Sequence, residues 1–185
     1  MHSGTKLYSW TDTGAAELYD GMNNARSTAF SHDGKLYILD GQSYLVATET
    51  GDTVGVTPVS EYAFTPTTVI GAPAAGGGTP FEAVNLLTGK RINSMVGDGT
   101  STVFHLDSKN IDSVESVTVD GVEKTATTDY TVDLAAGTVT FTTAPAESAA
   151  GGGIDNVVIA FTKTVPGYQD RIEKCTIAEF YGYNN

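Results

Sequence analysis

Glycine-centred turn signals divide almost the whole chain into short runs of strand-forming residues. This close spacing of turns constrains the fold more than any other feature. Asp33-Gly34, Asp40-Gly41 and Asp120-Gly121 are the sharpest of these signals. Asp-Gly pairs suit tight hairpin turns because glycine, and to a lesser extent aspartate, accepts a positive φ. The runs between them are rich in threonine, valine, isoleucine, tyrosine and phenylalanine, which favour strands. No window keeps the apolar spacing of a long helix, so the sequence predicts an all-β fold with almost no helix.

Breaks in composition predict the domain organisation. Residues 71–80 are rich in glycine, alanine and proline and carry no charge, which is typical of a connector or a long loop. We therefore expect a β-hairpin segment resembling propeller blades over 1–75 and a small antiparallel β-sandwich module over 76–165. Polar and apolar residues alternate near Cys175, which predicts a returning strand within 166–185 that pairs with the first segment.

The charge balance and the cysteine count exclude several classes of protein. The chain has 10 Lys and Arg residues against 22 Asp and Glu residues, a formal net charge of −12. General nucleic-acid binders need clustered basic residues, so this class is excluded. A single cysteine excludes an internal disulfide and a cysteine-based zinc site. No apolar run approaches the roughly 20 residues that span a bilayer, and we expect no signal peptide.

The sequence offers no catalytic, cofactor-binding or metal-binding constellation. His2, His32 and His105 are far apart and lack the spacing of metal ligands. Cys175 lies between acidic residues, which disfavour a reactive thiolate, so we expect a small buried or half-buried cysteine there. We expect no cofactor, no metal and no enzymatic activity.

Aromatic residues supply the candidate interface positions. One group lies in the first segment and a second near the C-terminus: Tyr8, Trp10, Tyr19, Tyr37 and Tyr44, then Phe180, Tyr181 and Tyr183. Such residues anchor protein interfaces or stack on sugars, and they also fill β cores. We take Trp10 and Tyr181 as the interface candidates.

Motifs in both parts of the chain resemble proteins of the tailed-bacteriophage virion. The resemblance rests on segments 117–121 (Val-Thr-Val-Asp-Gly), 129–133 (Asp-Tyr-Thr-Val-Asp), 137–141 (Gly-Thr-Val-Thr-Phe) and 144–145 (Ala-Pro). This pattern is similar to the small β modules of phage tail, adaptor and fibre proteins. Residues 29–41 resemble a strand pair of a propeller blade. Residues 172–182 resemble the point where a phage propeller-type protein resumes after an inserted domain.

The resemblance implies a non-enzymatic virion structural protein, from a phage or a prophage, at the tail or the head–tail interface. It implies a nozzle-like assembly, a homo-oligomeric ring with other virion proteins as partners, and DNA passage without sequence-specific binding. The location implied is the virion, assembled in the bacterial cytoplasm, with no membrane partner. A propeller needs about 4–8 blades, more than the flanks supply. Either the chain is a fragment, or its flanks form a smaller sheet beside the sandwich.

Two other classes of function stay open on the residues alone. A carbohydrate-binding or adhesin-like β domain would use the aromatic residues of the first segment. A hydrolase would use a pair of carboxylates that meet in space, and nothing in the sequence singles out such a pair.

Overall fold

The computed structural model describes residues 1–81 and 87–179, which form antiparallel β-sheets joined by tight turns. The chain divides into two compact units. The first unit contains residues 1–63 and the chain from 166 onward, and the second contains residues 64–165. The all-β prediction is confirmed, and the described residues form no closed barrel or propeller.

The first unit contains two sheets and two short helices. Its three-stranded sheet has the order β1-β2-β3 and its four-stranded meander the order β4-β5-β6-β7. The strands are β1 (His2–Ser3), β2 (Lys6–Thr11), β3 (Gly14–Asp20), β4 (Thr28–His32), β5 (Lys35–Leu39), β6 (Tyr44–Thr50) and β7 (Thr53–Pro58). Helix α1 (Val59–Tyr62) follows the meander and helix α2 (Asp170–Glu173) lies in the C-terminal part. An antiparallel four-stranded meander is the form of a single propeller blade.

The core of the first unit is small. Leu7 from β2 packs with Met22, Ile38 and Leu45, and the half-buried Tyr19 and Val56 adjoin this cluster. Ile38 and Leu45 are directly opposite each other on neighbouring strands, so they fall on the same face of the meander. One face of the β1–β3 sheet therefore contributes to the core, and its other face is left outward.

The second unit is a two-sheet sandwich with an added hairpin. One sheet has the order β10-β16-β12-β13, the other has the order β11-β15-β14, and β8 pairs with β9. The strands are β8 (Val69–Ile70), β9 (Thr79–Pro80), β10 (Lys90–Met95), β11 (Val103–His105), β12 (Ser113–Val119), β13 (Val122–Glu123), β14 (Tyr130–Asp133), β15 (Thr138–Phe141) and β16 (Val157–Thr162).

Side chains at every second position of the strands form the core of the sandwich. Val157, Ile159 and Phe161 alternate along β16 and are each 0% exposed. Val139 and Phe141 on β15 belong to the same cluster. Other members come from both sheets and their loops: Met95, Phe104, Leu106, Ile111, Val117 and Tyr130. The small antiparallel sandwich predicted for this part of the chain is present.

The glycine-rich break belongs to the second unit. Thr65 donates its backbone N–H to the Lys90 carbonyl at 2.7 Å and its Oγ1 to the Thr88 carbonyl at 2.6 Å. Ala74 and Ala75 accept backbone hydrogen bonds from Val96 and His105. These bonds place residues 64–75 with the sandwich, so the boundary lies at 63/64 and not at 75/76.

The returning strand predicted within 166–185 does not form in the described residues. Asp170–Glu173 make helix α2, and residues 174–179 belong to no strand. Lys174 pairs with Asp170 one helical turn away, at 2.8 Å, and Arg171 stacks on Tyr168 at 4.2 Å from the ring centroid. These local contacts favour a helical turn over the extended form that the alternation indicated. Residues 180–185 lie outside the described residues.

Candidate functional site

Trp10 is the sequence-predicted interface residue that falls within the described part of the chain. Its side chain, on β2, is 72% exposed, although it belongs to a well-paired sheet. Tyr181, the other candidate, lies outside the described residues. This exposure excludes a core position for Trp10 and leaves its indole ring available to a partner.

The strand register defines what surrounds Trp10. Trp10 lies opposite Ala15, and Tyr8 lies opposite Glu17 on β3. Because side chains on a strand alternate, Lys6, Tyr8 and Trp10 share one face of β2. Lys6 Nζ lies 2.7 Å from Glu17 Oε2 and 3.6 Å from Asp20 Oδ2, so both carboxylates belong to that face. We call this surface the Trp10 face, defined by Lys6, Tyr8, Trp10, Ala15, Glu17 and Asp20.

Local sequence explains why the Trp10 face is open. The hairpin turns at Asp12-Thr13, where Thr11 Oγ1 lies 2.8 Å from Thr13 Oγ1. Alternation along β2 directs Leu7 to the core and Tyr8 to the outward face, and the register shift lies in β3, where Leu18 is the extra residue between Glu17 and Tyr19. The cross-strand neighbour of Trp10 is only an alanine, so its side chain cannot cover the indole ring.

The Asp20 carboxylate and the Lys6 ammonium group of the Trp10 face are both held in their ionised forms. The hydrogen bond from Thr5, then the Gly21 backbone N–H, lowers the pKa of Asp20 below its ordinary value. The hydrogen bond to Glu17 raises the pKa of Lys6. The face therefore carries two carboxylates and one ammonium group, and Asp12 in the turn adds a third acidic residue.

A second aromatic group lies on the four-stranded meander and was only partly identified from the sequence. Phe30 stacks on Tyr37 with ring centroids 5.2 Å apart and an interplanar angle of 11°. Tyr37 lies 6.1 Å from Tyr44, and burial, followed by the proximity of Tyr37, raises the pKa of the Tyr44 phenol. Phe30 was missed, although the Asp33-Gly34 turn places it directly opposite Tyr37. These stacked rings cover one another's faces, so the row offers little free ring surface.

The aromatic residues of the first segment therefore do not form one cluster. Tyr8 and Trp10 belong to the Trp10 face, Tyr37 and Tyr44 to the stacked row, and Tyr19 packs against the core. Periodicity alone could not separate them, because their faces depend on the register shift in β3 and on which strands pair.

The second unit has a cleft of about 510 Å³ lined by both apolar and polar side chains. Its polar wall is a connected network in which Asn93 Nδ2 donates to Asp107 Oδ2 at 3.0 Å and Asp107 N–H donates to Asn93 Oδ1 at 2.9 Å. Arg91 Nη1 lies 3.5 Å from Asp107 Oδ1 and donates to Ser108 Oγ at 2.9 Å. Asn93 and Asp107 bond each other, so this part of the wall helps to hold the sandwich together. His105 and Asp155 also line the cleft.

The individual titratable residues are spread over separate sites. His2 bonds Ser27 Oγ and the Gly4 carbonyl, each at 3.0 Å, and His105 is exposed on β11. Cys175 follows α2, and its Sγ lies 3.4 Å from the Arg171 carbonyl. It is exposed and in no strand, so the prediction of a buried or half-buried strand cysteine is wrong, because the chain turns helical just before it. Within residues 1–81 and 87–179, no three His, Cys, Asp or Glu side chains are grouped closely enough to hold a metal ion.

Two acidic turns differ in what their carboxylates do. Asp40 is 1% exposed and accepts the N–H groups of Asn23, Gln42 and Ser43 at 2.7, 2.8 and 2.6 Å. Asp98 is exposed, and hydrogen bonds from Ser101 and Thr100 hold its pKa well below the ordinary 3.8. In both cases the carboxylate satisfies backbone donors of its own turn, a structural role.

No protein-family model, curated protein or solved structure matches this chain. In the described part of the chain, no helix is long and apolar enough to cross a membrane. The Trp10 face therefore stands as the candidate functional site on its geometry and charge alone.

Proposed function

We propose that the protein is a non-enzymatic structural component of a tailed-bacteriophage or prophage virion, acting through protein–protein assembly at the tail or the head–tail interface. The observation that carries this proposal is the interrupted first unit. Residues 1–63 and the chain from 166 onward form one unit, and a complete sandwich occupies the interval between them. A blade-like segment interrupted by a small β module is the arrangement that the sequence resemblance implies.

The core of the first unit gives further support. Among residues 1–81 and 87–179, its central cluster has four buried hydrophobic residues, whereas that of the sandwich has eleven. A blade gains stability by packing against neighbouring blades, so a small core in a blade-like meander suits a subunit within a larger assembly.

The overall charge suits the same role. A net charge of −12 would repel DNA and would let it slide through a ring made of other copies and other virion proteins. An electropositive inner surface in the assembled ring would contradict this part of the proposal.

The genomic context of the coding gene tests the proposed function first. We expect portal-like and tail-like genes beside it. Mass spectrometry of purified particles from the producing strain should then detect its peptides as a particle component. Neighbouring genes for secretion or polysaccharide metabolism, together with particles that lack the protein, would overturn the proposal.

The exposed Trp10 favours one alternative, a carbohydrate-binding or adhesin-like β domain, because an uncovered indole can stack on a sugar ring. This function predicts saturable binding to at least one member of a broad glycan panel, with the binding lost in Trp10→Ala. Absence of binding across the panel would remove it.

A further inference from the structure

We propose that the Trp10 face binds a basic, arginine-presenting surface of a protein partner. The inference rests on the proposed function, since it specifies the chemistry of the neighbouring virion protein. It starts from Trp10, which is 72% exposed and lies opposite Ala15, so its ring is open to a planar group from outside the chain.

The ring and the carboxylates are close enough to act together. Trp10 and Glu17 are diagonal neighbours across the β2–β3 pair, a relation that places residues about 7–8 Å apart and their Cβ atoms somewhat closer. A guanidinium group stacks well on tryptophan through the cation–π interaction, and its planar fork also matches carboxylates. One basic loop can therefore stack an arginine on Trp10 and pair a second cation with the carboxylates of Glu17 and Asp20.

Charge selects this occupant over two others. Glu17 and Asp20 share the single lysine of this face, Lys6, and Asp12 adds a third acidic residue in the hairpin turn beyond Trp10. A second copy that met this face with its own Trp10 face would place like charges together, and nucleic acid would bring its phosphates to the carboxylates, so both are disfavoured here. The complementary surface is thus a basic patch on a different protein.

The first test uses a spectroscopic advantage of this chain. Trp10 is its single tryptophan, so intrinsic tryptophan fluorescence reports this face alone. We expect caesium ions to quench Trp10 with a larger Stern–Volmer constant than iodide, because the acidic surroundings concentrate cations. Equal quenching, or stronger quenching by iodide, would show that the field at the ring is not negative and would overturn the inference.

The second test is binding of defined probes to the full chain: capped tetra-arginine, tetra-lysine and tetra-glutamate peptides, and the neutral glycan maltotetraose. We expect saturable binding of tetra-arginine, several-fold weaker binding of tetra-lysine, and none of the other two. Asp12→Asn combined with Glu17→Gln should weaken tetra-arginine binding several-fold.

Two variants separate the Trp10 face from non-specific attraction to an acidic protein. Trp10→Ala keeps every charge and should still lower tetra-arginine affinity at least five-fold by calorimetry, with an unchanged far-UV circular dichroism spectrum. Phe81→Ala removes another exposed aromatic residue, 57% exposed, and should leave the affinity unchanged. Equal affinity in wild type and Trp10→Ala, or binding of maltotetraose in place of tetra-arginine, would overturn the inference.

These outcomes are distinguishable from failure of the proposed function. If particles contain the protein but the Trp10 face does not bind tetra-arginine, the arginine partner is rejected and the virion role remains. A basic-peptide site in a protein absent from particles would reject the virion role, and with it the assignment of the partner to the virion.

Discussion

At the scale of single residues, two carboxylates of similar sequence context have different tasks. Asp40 and Asp98 both lie in glycine-containing turns, and both accept backbone N–H groups. Asp40 is buried and also accepts from Asn23, so it links the chain after β3 to the β5–β6 turn. Asp98 is exposed and serves only its own loop. Sequence predicted both as turn residues, but burial depends on the segment that packs over each one.

Asp40→Ala should destabilise the first unit by about 3 kcal/mol, because it leaves backbone donors of three residues without their acceptor in a part-buried site. The measurement is the urea midpoint followed by far-UV circular dichroism. Asp52→Ala, in the exposed β6–β7 turn, is the control and should change the free energy of unfolding by less than about 0.5 kcal/mol. A midpoint of Asp40→Ala equal to that of the control would contradict the structural role of Asp40.

Asp98 should make stability depend on acid pH. Its folded pKa lies below the ordinary 3.8, so the folded state binds fewer protons and stability rises with pH across that interval. The contribution is present above about pH 4 and is lost as pH falls toward the folded pKa. Asp98→Asn should therefore flatten the slope of stability between about pH 4 and about pH 2, as urea unfolding at successive pH values will show.

The control for this pH series is Asp120→Asn, because its carboxylate accepts a hydrogen bond from Ser148 Oγ and from no backbone group of its own turn. Its slope should match that of the wild type. A wild-type slope retained in Asp98→Asn would assign the acid sensitivity to other carboxylates.

At the scale of elements, turn signals and alternation predicted short strands between the turns, and the structure has strands in these runs. The runs around Tyr37, Val117 and Val139 became β5, β12 and β15 because each is bounded by a local turn and paired with an adjacent strand. Residues 64–80 could not be predicted in this way. Their hydrogen bonds reach β10 and β11, which lie further along the chain, and no local pattern encodes that pairing.

The candidate site was likewise predictable only in part. Trp10 was predicted as an interface residue, yet its separation from Tyr37 and Tyr44 depends on which strands pair, and the position of Tyr19 against the core depends on the extra residue in β3. The helical turn at 170–173 was missed because an alternating pattern and a single helical turn look alike over so few residues.

Gly76 should be the least replaceable glycine of the segment that contacts β11. Its φ is +78°, and a Cβ there would overlap the His105 carbonyl oxygen and lie 2.7 Å from Met95 Sδ. Gly153 is a matched control, with φ of +74° and no atom within 4 Å of the position that a Cβ would take. Both alanine variants carry backbone strain of about 1–2 kcal/mol. Gly76→Ala should lose about 2 kcal/mol more than Gly153→Ala, as thermal unfolding will show, and equal losses would contradict the close packing.

At the scale of the whole molecule, the two units differ in the size of their hydrophobic clusters and in whether each is built from one continuous stretch of chain. The central cluster of the sandwich includes Phe104, Val139, Val157, Ile159 and Phe161, all 0% exposed. The first unit is made from two separate stretches of chain around a smaller cluster. We infer that the sandwich is the independently stable part.

Residues 64–165 expressed alone should fold. The expected result is a dispersed amide NMR spectrum and a single cooperative urea transition, because the eleven-residue core lies entirely within this range. Phe104→Ala in the same fragment should lower the free energy of unfolding by about 3–5 kcal/mol. A fragment with a collapsed, undispersed spectrum would show that the sandwich depends on the rest of the chain.

The hydrogen bond from Thr28 Oγ1 to the Thr176 carbonyl joins residues 148 positions apart. During synthesis on the ribosome, Thr28 emerges long before Thr176, and the chain for the whole sandwich is made in between. If the sandwich folds as it emerges, it draws in the intervening chain and reduces the entropy lost when the two parts of the first unit meet. The interrupted unit is thus the last to be completed, and the rate at which nascent chains reach the native state should be set by how fast the inserted module folds.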